Sequence, residues 1–125
     1  MKRQIRIIAG KVAAKAELND TRTAEAIWKA LPLKSRVETW GDEVYFEIPL
    51  HLELEDGKEL VSASDLGYWP NGNCFCIFFG PTPMSKGNEI RPASAVNVFG
   101  KVTGDAKVFK KVKDGETVVV EQDHT

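Results

Sequence analysis

The chain has 125 residues, of which 42% are hydrophobic and 28% are charged, and its formal net charge is −1. These values are typical of one globular domain, which we expect to span residues 1–125, and they exclude a disordered or fibrous chain. Basic and acidic residues are interspersed, so no strong positive field favours nucleic acid or an anionic membrane as a partner. No apolar run approaches the roughly 20 residues that cross a bilayer. The apolar stretch at the N-terminus is too short for a signal peptide, so we expect a cytoplasmic location.

The first quarter of the chain predicts a hairpin followed by a helix. Two β-type runs, Gln4–Ile8 and Val12–Leu18, are separated by a short loop that contains Gly10. Candidate N-cap residues then precede the stretch Thr23–Leu31. Within that stretch the apolar residues follow the i, i+3, i+4, i+7 spacing of one helical face, namely Ala24, Ile27, Trp28 and Leu31.

The next part of the chain predicts strands, because three consecutive stretches alternate in polarity. They are Arg36–Trp40, Glu43–Pro49 and Leu50–Glu55. In the second stretch Tyr45 and Glu47 lie on the face opposite the apolar side chains. The dipeptide Asp-Gly that follows residue 55 is a strong signal for a tight turn.

The segment from residue 64 to residue 83 is the most distinctive part of the sequence. Asn73–Phe79 is short, almost wholly apolar and flanked by glycine and proline. It predicts a strand that is buried on both faces, because a half-buried strand would alternate in polarity. Glycine and proline also surround Tyr68 and Trp69. We therefore expect these two aromatic residues in a shaped, rigid loop that is available to a ligand.

The two cysteines predict a buried pair rather than a chemical centre. Cys74 and Cys76 are two apart in the predicted strand, so their side chains share a face, where they act as small hydrophobic groups. The two histidines, His51 and His124, are far away in the sequence. We expect no metal site, and since the sequence has no three-glycine phosphate loop, we expect no cofactor.

The last third of the chain completes a mainly β fold. We expect an ordered irregular loop at Pro81–Ala93 and strands at Val96–Phe99 and Thr117–Val120, while Ala106–Val112 is compatible with a strand or a short helix. About eight strands and one helix predict a closed antiparallel barrel with the helix as a cap at one open end, since closure removes exposed strand edges. The expected core includes Val44, Phe46, Ile48, Phe75, Ile77 and Phe79.

Three strings resemble a known family, namely TWGDEVYFEIP at residues 39–49, DLGYWP at residues 65–70 and FCIFFGPTP at residues 75–83. They are similar to small prokaryotic cyclophilin-like proteins without an established biochemical role. The resemblance implies a cyclophilin-like barrel of roughly eight strands with a capping helix. Active cyclophilins carry a Phe-His-Arg-Val segment followed by Phe and Gln-Gly-Gly-Asp, and this chain has no such string. In the strand after the helix, Arg36 is the one arginine that could take the catalytic position.

We considered three functions. The preferred one is a binding module that holds a small molecule or a peptide at a loop-lined mouth of the barrel. The alternative is a weak or divergent peptidyl-prolyl isomerase that uses Arg36 as its donor, and the third is a hydrolase with Glu38 and Glu47 as paired carboxylates. The candidate ligand-binding residues are Arg36, Glu38, Tyr45, Tyr68, Trp69 and Pro81.

Overall fold

The computed structural model describes residues 3–124, which form one antiparallel sheet of nine strands that curls into a nearly closed barrel. The strands are β1 (Gln4–Ala9), β2 (Val12–Leu18), β3 (Leu33–Arg36), β4 (Glu38–Thr39), β5 (Glu43–Glu47), β6 (Asp65–Trp69), β7 (Cys74–Phe78), β8 (Asn97–Thr103) and β9 (Thr117–Gln122). Their order in the sheet is β3-β9-β1-β2-β8-β6-β7-β5-β4. The two outermost strands, β3 and β4, follow each other in the chain with only Val37 between them. The predicted antiparallel barrel is therefore confirmed.

The described part of the chain contains one α-helix, α1 (Arg22–Ala30), and a 3₁₀ helix at Ala106–Lys111. Helix α1 begins where the side chain of Thr21 accepts a hydrogen bond from the N–H of Ala24 at 3.1 Å. Neither helix is long and apolar enough to cross a membrane. The predicted apolar face of α1 packs on the barrel core, with Ile27 fully buried and Trp28 and Leu31 partly buried.

The interior of the barrel is filled with side chains. All six residues that the sequence predicts for the core are buried. The ring of Phe75 lies at the centre of an aromatic group, stacked on Phe46 with the ring centroids 4.8 Å apart and edge-on to Phe99 at 4.9 Å. These geometries are the ones that aromatic pairs favour. The interior of the barrel is therefore a packed hydrophobic core that stabilises the fold.

Strand β7 is buried on both faces, as the sequence predicts. Its inward side chains join the main core, whereas Cys74, Cys76 and Phe78 belong to a second apolar cluster outside the barrel. That cluster is covered by residues 80–96, which we call the cover segment; its Ile90 and Val96 pack on the strand. The cover segment has little regular structure, in agreement with the irregular loop expected there.

The predicted strand Leu50–Glu55 is wrong. This segment, which we call the strap, has no strand partner, although its residues alternate in polarity. Its backbone groups bond to side chains instead. The hydroxyl of Tyr68 donates to the carbonyl of Leu50 at 2.7 Å and accepts from the N–H of Leu52 at 3.1 Å. The amide side chain of Asn97 bonds the other half of the strap.

The loop predicted around Tyr68 and Trp69 is also wrong, because both residues lie in strand β6. The side chain of Tyr68 is fully buried inside the barrel, and that of Trp69 points outward and is half-buried. Glycine and proline do flank the strand, but Pro70 comes directly after its last residue. A proline just beyond a strand end removes no ladder hydrogen bond, so it does not prevent the strand. Likewise, the predicted stretch Arg36–Trp40 is divided between β3 and β4.

Replacing Tyr68 with phenylalanine is expected to lower the free energy of unfolding by about 1.5 kcal/mol, since two strap backbone groups lose their partner. Urea denaturation measures the change. Tyr45→Phe is the matched control, because no hydrogen bond is recorded for that half-buried hydroxyl, and we expect it to change stability by less than about 0.5 kcal/mol. Equal stability of Tyr68→Phe and wild type would show that the strap is held by other contacts.

Candidate functional site

A cavity of about 180 Å³ lies outside the barrel, between the outward face of strands β5, β6 and β7 and the cover segment. We call it the wall cavity. Its lining is mostly apolar and contains a single carboxylate. The lining residues are Trp40, Glu43, Tyr45, Trp69, Cys76, Pro92, Ala93 and Val96.

The position of Glu43 follows from the alternation of side chains along β5. Val44 and Phe46 belong to the barrel core, so Glu43 and Tyr45 lie on the outer face. In the antiparallel register, Tyr45 is opposite Cys76 of β7. The side chains of Glu43, Tyr45 and Cys76 therefore lie on the same outer face of the sheet, next to the cover segment.

Glu43 is the most unusual group in the wall cavity. It is only 5% exposed, and its Oε1 atom has no hydrogen-bond partner among the residues that the structure describes. Burial raises the pKa of its carboxyl group to about 7, and a hydrogen bond with the thiol of Cys76 offsets part of that effect. Near neutral pH this carboxyl group therefore exchanges between a donor form and an acceptor form.

The two thiols beside Glu43 are protonated at neutral pH. Burial raises the pKa of Cys76 well above its usual range and that of Cys74 to about 11. Because the thiolate is the reactive form of cysteine, neither residue is activated as a nucleophile. Both are free and buried, as the sequence predicts. Among residues 3–124 no group of three or more histidine, cysteine or acidic side chains is placed to hold a metal ion.

The walls of the cavity are held in place by close contacts. The indole N–H of Trp69 donates to the hydroxyl of Ser94 at 2.6 Å, which ties strand β6 to the cover segment. Gly67 of β6 allows this approach, since a Cβ atom there would lie 2.9 Å from Cγ2 of Val96. On the other side, the backbone N–H of Trp40 donates to the carbonyl of Glu43 at 2.9 Å. A cavity with fixed aromatic walls loses little side-chain freedom when a ligand enters.

Of the six candidate binding residues named from the sequence, two line the wall cavity, namely Tyr45 and Trp69. Tyr68 was expected beside Trp69 in a ligand-binding loop, and this is corrected, because neighbouring residues of one strand point to opposite faces. Its side chain lies inside the barrel, fully buried and bonded to the strap. The wall cavity lies on the outer wall of the barrel, and a ligand site at the mouth stays a prediction.

The other three candidates, Arg36, Glu38 and Pro81, are exposed and are not among the residues that line the cavity. Glu38 lies opposite Tyr45 in the β4–β5 pairing, and Glu47 is also exposed. These two carboxylates are therefore not register partners. A role in ligand binding for Arg36, Glu38 or Pro81 stays a prediction.

We expect weak or absent prolyl isomerase turnover in a protease-coupled assay with a proline-containing peptide, and no effect of Arg36→Ala on that turnover. The guanidinium of Arg36 lies at the surface, where its nearest recorded hydrogen-bond partner is the carbonyl of Gly115 at 3.5 Å. A donor must stand beside an apolar pocket to favour the twisted amide, and Arg36 is not among the residues that line the wall cavity. Robust turnover that Arg36→Ala abolishes would contradict this expectation.

Sequence reasoning missed the residue at the centre of the site. The signal was present, because the alternation that placed Tyr45 and Glu47 on the outer face of β5 also places Glu43 there. A strand buried on both faces, such as β7, requires a cover outside the sheet, and that cover also shields the neighbouring strand. Glu43 lies under that cover and is buried, whereas Glu47, at the other end of the same face of β5, is exposed. The contributions of Pro92, Ala93 and Val96 carry no such signal, since they come from an irregular segment.

Comparisons with known proteins agree with this architecture. A family model described as cyclophilin-like matches residues 3–121. A hypothetical protein from Archaeoglobus fulgidus, whose solution structure has been determined, is 41% identical; the alignment covers 98% of this chain and 95% of that one, with a TM-score of 0.83. The structure of McbB in complex with tryptophan has a TM-score of 0.74 at 16% identity. That alignment covers 97% of this chain but 45% of McbB, so the likeness shows the fold alone. No curated protein matches the sequence.

Proposed function

Since this chain belongs to the cyclophilin-like family, we propose that it binds a small molecule, or one side chain of a peptide, in the wall cavity on the outside of its barrel. The observation that carries the proposal is the buried carboxyl group of Glu43, which has one oxygen atom without a partner. A buried polar atom without a hydrogen bond costs free energy, about 1–3 kcal/mol or more. Such groups are rare in native proteins, and this one belongs to the single carboxyl group that lines the cavity.

The lining of the cavity supports the same function. Trp40, Tyr45 and Trp69 present three aromatic side chains around one polar group. Small-molecule sites commonly combine apolar and aromatic walls with a few polar atoms that fix the orientation of the ligand.

A fragment screen by NMR tests the proposal. We expect fragments of fewer than about ten heavy atoms to shift the backbone amide signals of the lining residues. Ala93→Trp should abolish these shifts, because Ala93 is an exposed residue at the cavity edge and the larger side chain fills the space. Ala13→Trp is the matched control, since Ala13 is an exposed residue of β2 that does not line the cavity.

A second variant tests the aromatic wall. Trp69→Ala removes the ring that bonds to the cover segment, and we expect it to weaken binding at least tenfold while circular dichroism shows a folded protein. Undiminished binding by folded Trp69→Ala and Ala93→Trp would place the ligand elsewhere and overturn the proposal. A screen in which no fragment shifts any lining residue would overturn it as well.

A further inference from the structure

The charge pattern of the wall cavity points to a specific class of ligand. No lysine, arginine or histidine lines it among residues 3–124, and its one carboxyl group belongs to Glu43. Other carboxylates lie nearby. Burial raises the pKa of Tyr45, and the charges of Glu38, Glu43 and Asp114 raise it further. All three therefore act on the cavity wall with the same negative sign.

Negative charges also act on the two cysteines of strand β7. After burial, which is the largest effect, the carboxylates of Glu47, Glu38 and Glu43 raise the pKa of Cys74. Cys76 also feels the charge of Glu43. The charged side chains that raise the pKa of these two thiols are thus acidic residues. An anionic ligand would be repelled here, whereas a cation would be attracted.

The aromatic lining adds a second preference for positive charge. The faces of tryptophan and tyrosine rings carry a negative quadrupole and attract ammonium groups, with tryptophan the strongest. Trp40, Tyr45 and Trp69 all line the cavity around Glu43. An aromatic enclosure alone would also accept a neutral apolar molecule. The combination with a buried, incompletely bonded carboxyl group distinguishes a cation site from a plain apolar pocket.

We propose that the wall cavity binds an organic ammonium ion, whose charged head donates a hydrogen bond to Glu43 and whose apolar body packs on Trp40, Tyr45 and Trp69. This inference rests on the proposed binding function and names its substrate class. The ammonium group pairs with the carboxylate of Glu43, the one carboxylate that lines the cavity, and compensates its buried charge.

Binding of the cation requires the ionised form of Glu43, so it is coupled to loss of a proton to solvent. With a carboxyl pKa of about 7, roughly one tenth of the free protein is ionised at pH 6 and roughly nine tenths at pH 8. The apparent affinity scales with the fraction in the binding-competent form. The affinity for an ammonium ion that stays charged over this range should therefore rise about tenfold from pH 6 to pH 8.

Three benzene derivatives of nearly equal size separate charge from shape: benzylammonium, benzyl alcohol and benzoate. Titrations of the full chain followed by NMR at pH 8 should show benzylammonium binding at least tenfold more tightly than benzyl alcohol, and no binding of benzoate. Glu43→Gln should weaken benzylammonium at least tenfold, remove the pH dependence and leave benzyl alcohol unchanged. The fold of this variant is checked by circular dichroism.

The aromatic wall is tested with one variant inside the cavity and one outside it. Tyr45→Leu keeps apolar volume but loses the aromatic face and should bind benzylammonium more weakly by about threefold to tenfold. Ala13→Trp, at an exposed position of β2 that does not line the cavity, should bind it like wild type. If benzyl alcohol and benzylammonium bind equally well at the lining residues, and Glu43→Gln does not change their binding, the cation inference is overturned. The proposed binding function is retained in that case. If none of the probes shifts the lining residues at millimolar concentration and the fragment screen is also negative, both proposals fail.

Discussion

Replacing Glu43 with glutamine is expected to make the protein about 3 kcal/mol more stable than wild type at pH 8 and to change its stability little at pH 4. The wild-type carboxyl group is buried, and its pKa is raised from an ordinary value of 4.5 to about 7. Glutamine has the same shape and no charge, so it avoids the cost of placing an ionised group in the cavity. One pKa unit corresponds to about 1.4 kcal/mol, which gives the expected size.

The sign follows from proton binding. Between pH 4.5 and pH 7 the folded protein keeps the proton on Glu43, whereas the unfolded chain has released it. Stability falls with rising pH wherever the folded state binds more protons, so wild type loses stability through this window and stays lower above it. At pH 4 the group is protonated in both states, and the wild-type protein and the variant should then be alike.

Urea denaturation of both proteins at pH 4 and pH 8 measures the effect. Glu47→Gln is the matched control, because Glu47 is an exposed residue of the same strand, and its stability should stay within about 0.5 kcal/mol of wild type at both pH values. If Glu43→Gln changed stability by the same amount at both pH values, the folded protein would not raise the pKa of the Glu43 carboxyl group by burial. The basis of the binding proposal would then be lost.

Removing the carboxylate of Glu55 is expected to lower the free energy of unfolding by about 2 kcal/mol. This group lies at the start of helix α1 and accepts hydrogen bonds from the backbone N–H of Arg22 at 3.0 Å, the backbone N–H of Thr23 at 2.9 Å and the hydroxyl of Thr23 at 2.8 Å. A negative charge at a helix N-terminus is favourable, and hydrogen bonds to charged groups are stronger than neutral ones. The side chain is 20% exposed, so water reduces the effect.

The measurement compares Glu55→Ala with Glu53→Ala, which removes an exposed carboxylate from the same strap and should cost less than about 0.5 kcal/mol. The hydrogen bonds from Arg22 and Thr23 lower the pKa of Glu55. Its contribution is therefore present above pH 4.5 and is lost as the pH falls through the lowered value, so the difference between the two variants should shrink in acid. If Glu55→Ala and Glu53→Ala have equal stability at pH 7, the strap does not cap the helix.

The elements that the sequence predicted correctly are those whose burial is decided by their own residues. The face of Ile27, Trp28 and Leu31 identifies α1, because helical spacing cannot arise from a strand. The continuous apolar run of β7 likewise identifies a strand with two buried faces. The resemblance to cyclophilin-like proteins is confirmed by the family match and by the relative from Archaeoglobus fulgidus.

The elements that were predicted wrongly depend on distant partners. The strap alternates like a strand, yet the side chains that bond its backbone, Tyr68 and Asn97, are up to 44 residues away. Nothing local distinguishes those partners from a neighbouring strand. The site was missed for a related reason, since Glu43 is buried by a cover segment whose path the sequence does not specify.

Placing the cavity on the outer wall has a consequence for how this protein can change over time. The aromatic stack of the interior holds the barrel together, while the cover segment contributes Pro92, Ala93 and Val96 to the site without entering that interior. Substitutions in the cover segment can therefore alter which molecule fits while the packing inside the barrel is conserved. Selection for a new ligand acts on the outer face of the sheet, and selection for a stable fold acts on its inner face. Ligand specificity can therefore change without loss of stability.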